Sequence, residues 1–259
     1  FPQVDIYPVF VPGNHDCDFD ADGASVREAL LTSSNLNISD ISQLKVCTSI
    51  QKGFFDFCSE WNKKFGVMYC SPDKVLTINK LNFDKENIGI EFHCINTSWG
   101  SKKQEEKGKM KIVSRKMKMP ADNFPNKKPQ DIVITLMHHD AEWLDWEDKE
   151  AWNDYHKKYS DIILVGHDHT IEFAWKQNYD DSSNYTIKGN QLFDKYSPNQ
   201  SGFNILKIKT SENSSVLHFV GSRYFSSRIF CRAAARKRRC ETWWNAMVRG
   251  RSRSLPSGR

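Results

Sequence analysis

Two uninterrupted apolar runs, Ile132-Val133-Ile134-Thr135-Leu136-Met137 and Ile162-Ile163-Leu164-Val165, stop abruptly at His138-His139-Asp140 and Gly166-His167-Asp168-His169. Runs of that length without alternation predict buried strands. A third apolar stretch, residues 5–11, predicts a short strand running into Pro12-Gly13-Asn14-His15-Asp16, with Gly13 permitting a sharp turn at its end. Strands that alternate with helical patterns and loops predict a layered α/β protein. Polar residues at strand C-termini mark where open α/β sheets build their sites.

Between these landmarks, residues 17–89 read as a mostly helical insertion. Residues 39–46 and 53–65 carry apolar side chains at helical spacing, and Phe54, Phe57, Trp61 and Phe65 predict a buried packing face. Residues 75–81 and 88–96 predict strands. Residues 101–118 are Lys-rich and predict a solvated helix or loop, followed by a loop containing Pro120, Pro125 and Pro129. Residues 142–159 predict an amphipathic, Trp-rich helix. Residues 171–177, 202–209 and 216–220 predict further strands, and no internal repeat is present.

The 39% hydrophobic and 27% charged content excludes a disordered chain, and no stretch has the length of a membrane span. Seven cysteines without a CxxC pair read as reduced thiols of a cytoplasmic protein, though a disulfide reading stays open. Charge is uneven. Residues 222–259 hold eleven Lys and Arg against Glu241 alone, a net of +10. The other residues hold 26 basic against 31 acidic groups, a net of −5, and Arg27 and Arg115 are their only arginines. The abrupt change to arginine points to a C-terminal segment of different coding origin, outside a domain spanning residues 1–221. The other reading is a basic arm for nucleic acid.

Imidazoles and an amide oxygen suit Zn, Mn or Fe, and strand ends hold them rigidly. In an extended His167-Asp168-His169 segment both imidazoles would project to one side. Each could then serve one ion of a two-metal hydrolase centre, where ions lie roughly 3.5–4 Å apart. Each cluster taken singly is common turn chemistry.

Gly13-Asn14-His15-Asp16, a strand-terminal His138 and Gly166-His167-Asp168-His169, in this order, resemble the latter half of the calcineurin-like metallophosphoesterase signature. The resemblance implies a four-layer β-sandwich flanked by helices, incomplete at the N-terminus. The family's earlier Asp-x-His and Gly-Asp-x-x-Asp motifs do not occur before Asn14. It implies hydrolysis of a phosphate ester, a phosphodiester slightly favoured, at a dinuclear centre of two divalent ions (Mn, Fe or Zn). Asn14, His138 and His167 would bind the second ion and His169 the first. His15 would contact the phosphate and protonate the leaving oxygen, with Asp16 orienting it. His138 is preferred to His139 as ligand, although Asp140 stands where the family commonly has proline. Loss of most first-ion ligands is expected to impair this chain. The partner expected is a phosphate-ester substrate and not a membrane; the alternative is a non-catalytic nucleic-acid-binding module using the basic tail.

Residues 17–89 would either cap the site or decorate it. Trp143 and Trp146 would either line the pocket or pack their helix on the core.

Overall fold

A computed structural model of the chain describes residues 6–34, 36–65, 69–83, 87–113, 131–169, 172–177, 183–189, 204–211, 214–221 and 228–233. The chain is mixed α/β and divides into two compact units, Phe1–Phe203 and Asn204–Arg259.

The first unit holds a seven-stranded sheet in the order β1-β2-β3-β4-β5-β7-β6. Its strands are β1 (Tyr69–Cys70), β2 (Leu76–Phe83), β3 (Ile88–Ile95), β4 (Ile132–Met137), β5 (Ile162–Val165), β6 (Glu172–Gln177) and β7 (Ser183–Lys188). The inner strands β3, β4, β5 and β7 run parallel; β1, β2 and β6 pair antiparallel at the edges. Register decides where chemistry collects. Ile95 pairs with Met137 and Met137 with Val165, so β3, β4 and β5 all end at one level. The residues that follow, Asn96, His138 and Gly166, emerge side by side, and the Gly166 amide donates to the His138 carbonyl at 3.0 Å.

Helix α4 (Trp146–Tyr159) connects β4 to β5. Asp145 caps it by accepting the Asp148 amide at 2.9 Å, Glu147 and Asp148 sit in its first turn, and His156, Lys157 and Lys158 in its last, matching the helix dipole at both ends. Trp152 and Tyr155 bury against Leu76, Ile78, Ile95, Met137, Ile163 and Val165. Trp146, by contrast, is 73% exposed, so it does not pack this helix on the core.

Within residues 17–89, α1 (Ala24–Thr32), α2 (Ile41–Thr48) and α3 (Lys52–Phe65) follow one another. The remainder then supplies β1 and β2 to the main sheet. Leu44 and Cys47 of α2 form a second core with Val75, Trp99 and Val113. The strand expected over residues 5–11 does not form across the described residues 6–11. Pro8 and Pro12 lack the amide that a ladder requires. Phe10 instead packs edge-on to Phe57 of α3, with centroids 5.2 Å apart.

In the second unit β8 (Asn204–Ser211), β9 (Ser214–Gly221) and β10 (Arg228–Ala233) make a three-stranded antiparallel sheet, which takes in six residues of the basic segment. Residues 222–227 and 234–259 of that segment lie outside the described residues. No described helix is long and apolar enough to cross a membrane.

Candidate metal centre

Residues 13–17 reach the strand ends through a one-turn 3₁₀ helix, Asn14–Asp16. Gly13 is extended there (φ −102°, ψ 177°), so the glycine is not needed for an unusual turn. It is needed for space: a Cβ on Gly13 would stand 2.9 Å from both Cε1 and Nδ1 of His138. The turn is held by Asp16, whose Oδ2 accepts the Gly13 amide at 2.8 Å, and by Ser98 Oγ donating to the Pro12 carbonyl at 3.2 Å.

Three imidazoles meet above the sheet. One nitrogen from each of His138, His139 and His167 lies within 4.8 Å of the others. His138 Nε2 stands 3.0 Å from Asn14 Oδ1 and 3.1 Å from His167 Nδ1. The Asn14 amide is oriented by its Nδ2 donating to Glu105 Oε2 at 2.9 Å, which turns Oδ1 toward His138. Of the residues picked out by sequence, Asn14, His138 and His167 are thus brought together. His15 and Asp16 are exposed beside them. His169 is exposed and is not one of the three grouped imidazoles.

The reason lies in the backbone. His167 and His169 have φ of 66° and 54°, so the segment is not extended and the two-residue alternation expected of it does not apply. Left-handed backbone at two non-glycine residues costs about 1–3 kcal/mol each and is commonly retained at functional sites.

His139, to which His138 was preferred, and Glu105, outside the strand-end clusters, also join the group. His139 is wholly buried; its Nδ1 faces Thr97 Oγ1 at 2.9 Å, and Thr97 Oγ1 also accepts the His139 amide at 3.1 Å. Glu105 comes from the segment expected to be solvated. That segment is pinned at both ends. Arg27 of α1, 3% exposed, donates to the carbonyls of Cys47, Trp99 and Ser101 at 2.8, 2.6 and 2.8 Å. Downstream, Met110 exchanges backbone hydrogen bonds with Trp143 and Asp145, and the Ile112 amide donates to Asp148 Oδ2 at 2.9 Å. The buried residues Met110, Ile112 and Val113 are the only signal in the sequence that this charged stretch is anchored. Helix α1 therefore braces the site's loop through Arg27.

The electrostatics favour lone-pair donors. Burial, helped by His139 and His167, pushes the His138 imidazole down to about 3, leaving a neutral ring at physiological pH. Burial and His139 lower His167 as well. Burial raises Glu105, but the His139 hydrogen bond, the nearby Ser101 hydroxyl and the surrounding imidazoles outweigh it and hold the carboxyl at about 2. Around the group, Trp143 Nε1 donates to Asp168 Oδ1 at 2.9 Å, and its ring meets that of His167 edge-on at 4.2 Å. Asp140 caps its own turn by accepting the Glu142 amide at 2.8 Å and pairs with Lys188 at 2.7 Å. Burial disfavours the Lys188 ammonium, yet Asp140 and Glu172 hold its pKa above the ordinary lysine range.

Neutral imidazoles, an amide oxygen and an ionised carboxylate converge here, and Glu105 Oε1 is buried without a hydrogen bond of good geometry among the described residues. This donor set fits a borderline divalent cation.

No family model matches the chain, and no curated protein matches it. Among solved structures, vacuolar protein sorting 29 from Cryptosporidium parvum is 12% identical with a TM-score of 0.26, covering 45% of this chain and 76% of that one. A dimetal phosphatase from Danio rerio is 11% identical with a TM-score of 0.31, covering 79% of this chain and 67% of that one. At TM-scores this low neither likeness carries an argument.

Proposed function

We propose that the chain carries the metal-binding and proton-donating part of a metal-dependent hydrolase. The supporting observation is the convergence of Asn14 Oδ1, His138 Nε2 and His167 Nδ1 at the aligned ends of parallel strands. The narrower reading is a phosphoesterase of the calcineurin-like metallophosphoesterase type, acting on a phosphodiester in preference to a monoester.

In this reading Asn14, His138 and His167 hold one divalent ion and His169 contributes to a second. Bound Mn, Fe or Zn would supply Lewis acidity, offsetting charge on the phosphoryl oxygens and lowering the pKa of the attacking water. The chain's own residues do the rest. His15, exposed on its turn, reaches the phosphate and gives a proton to the departing oxygen. Asp16 orients and charge-stabilises His15 while its Oδ2 keeps the Gly13 amide. Trp143 stands edge-on to the His167 ring and fixes its position.

The test pairs metal content with turnover of bis-(p-nitrophenyl) phosphate and of p-nitrophenyl phosphate. His138→Ala is expected to lose bound metal and activity together, and His15→Ala to keep metal but lose turnover about 10²–10⁴-fold. A chain that takes up none of Mn, Fe or Zn and hydrolyses neither ester overturns the reading.

A further inference from the structure

The loop after β3 carries a carboxylate up to two of the three imidazoles. Glu105 Oε2 lies 3.3 Å from His139 Nε2 and 3.7 Å from His167 Nε2, on a side chain only 7% exposed. Such a charge is costly to bury unless cations or several donors meet it. Asn14 Nδ2 supplies one firm hydrogen bond to Oε2, and Oε1 has none of good geometry among the described residues. His139 is arranged in a complementary way. Thr97 Oγ1 stands at its Nδ1, as an oxygen partner commonly does for a metal-ligating histidine, and Nε2 is left facing the carboxylate.

The spacing carries the argument further. Two ligand atoms at about 2.0–2.2 Å from one ion, at a tetrahedral angle, are about 3.3–3.6 Å apart. The 3.3 Å separation of Glu105 Oε2 from His139 Nε2 matches that edge length. His139 and Glu105 reach the spot from different loops, and both loops are fixed. Arg27 holds residues 99–101, Trp143 and Asp145 hold Met110, and Thr97 holds the His139 backbone.

We propose that Glu105 and His139 are direct ligands of a divalent cation, completing with Asn14, His138 and His167 a site of three imidazoles, one amide oxygen and one carboxylate. The inference rests on the metal-binding reading above and adds to it two ligands, His139, passed over in favour of His138, and Glu105, which lies outside the strand-end clusters. Imidazole with carboxylate selects Zn, Mn or Fe over Ca or Mg.

Co(II) binding to the full chain, followed by its visible spectrum and by competition titration, provides the test, with circular dichroism verifying that each variant folds. Glu105→Gln is the discriminating change. Its carbonyl oxygen can still accept from Asn14 Nδ2, so a carboxylate that only braces Asn14 predicts wild-type binding. A ligand predicts affinity at least about tenfold weaker and a shifted Co(II) spectrum, with His139→Gln behaving alike. Glu105→Asp, which keeps the charge, is expected to retain binding with an altered spectrum, and it decides the matter if Glu105→Gln fails to fold. Wild-type affinity and spectrum in Glu105→Gln and His139→Gln, alongside loss of binding in His138→Ala, would overturn this assignment and leave the preceding reading standing. Absence of Co(II) binding by the unaltered chain, together with no uptake of Mn, Fe or Zn, would overturn both.

Discussion

Replacing Gly13 by alanine would set a methyl group 2.9 Å from Cε1 and Nδ1 of His138 and 3.4 Å from its Cγ. Ordinary carbon contacts begin near 3.4 Å, so ring or turn must retreat by about 0.5 Å. The ring has little freedom. His139 and His167 lie at centroid distances of 4.8 and 5.0 Å, and the Gly166 position is already within 3.4 Å of Nδ1 for a hypothetical Cβ. Moving the ring away from the turn lengthens the 3.0 Å contact between its Nε2 and Asn14 Oδ1. The expected cost is about 1–3 kcal/mol of stability, the usual range for overpacking. Divalent-metal affinity should fall about 10–100-fold, as when a ligand's support is disturbed. Urea denaturation without metal measures the first, and Mn(II) or Co(II) titration the second. Gly53→Ala, in α3 with nothing within 4 Å of its added Cβ, serves as control and should be neutral or stabilising by about 1 kcal/mol. If Gly13→Ala matched the unaltered chain within about 0.5 kcal/mol and bound metal equally well, close approach to His138 would not be the reason for glycine here.

Two further outcomes follow from buried charges away from the ligands. Arg27→Met removes the donors serving three carbonyls; a loss of about 3 kcal/mol or more in urea denaturation is expected, with weaker metal binding as the 99–105 loop loosens. A variant with unchanged stability would refute that bracing role. Asp148 is displaced in the opposite sense to most folded carboxylates: burial, against the Ile112 amide bond and with Asp145 adding, raises it to about 6 from 3.8. A raised carboxyl means the folded state binds the proton more tightly. Its contribution is therefore most favourable below pH 4, declines between 4 and 6, and is a constant cost above 6. Asp148→Asn, whose side-chain oxygen can still accept the Ile112 amide, is expected to be about 1–2 kcal/mol more stable at pH 8 and to lose that advantage at pH 3.5. Thermal or urea denaturation across that range checks it, and parallel stability–pH curves for the two proteins would contradict it.

Much of the frame was legible in the chain itself. Parallel inner strands are covered on both faces, so β4 and β5 are uninterrupted apolar runs, and the polar clusters that end them lie at their C-termini. Helical spacing likewise announced α2, α3 and α4, because a side chain's face on a helix follows from its neighbours three and four residues away. Residues 6–11 misled, since their apolar character says nothing about ladder donors that Pro8 and Pro12 lack. Tertiary structure alone decided which histidines share a space. His138 and His139 are adjacent in sequence, and both join, with Thr97 holding His139; His169 does not, because His167 and His169 take a left-handed backbone. Glu105 was hidden for the same physical reason. Its partners, Asn14, His139 and His167, are remote in sequence, and only folding brings them to a lysine-rich segment.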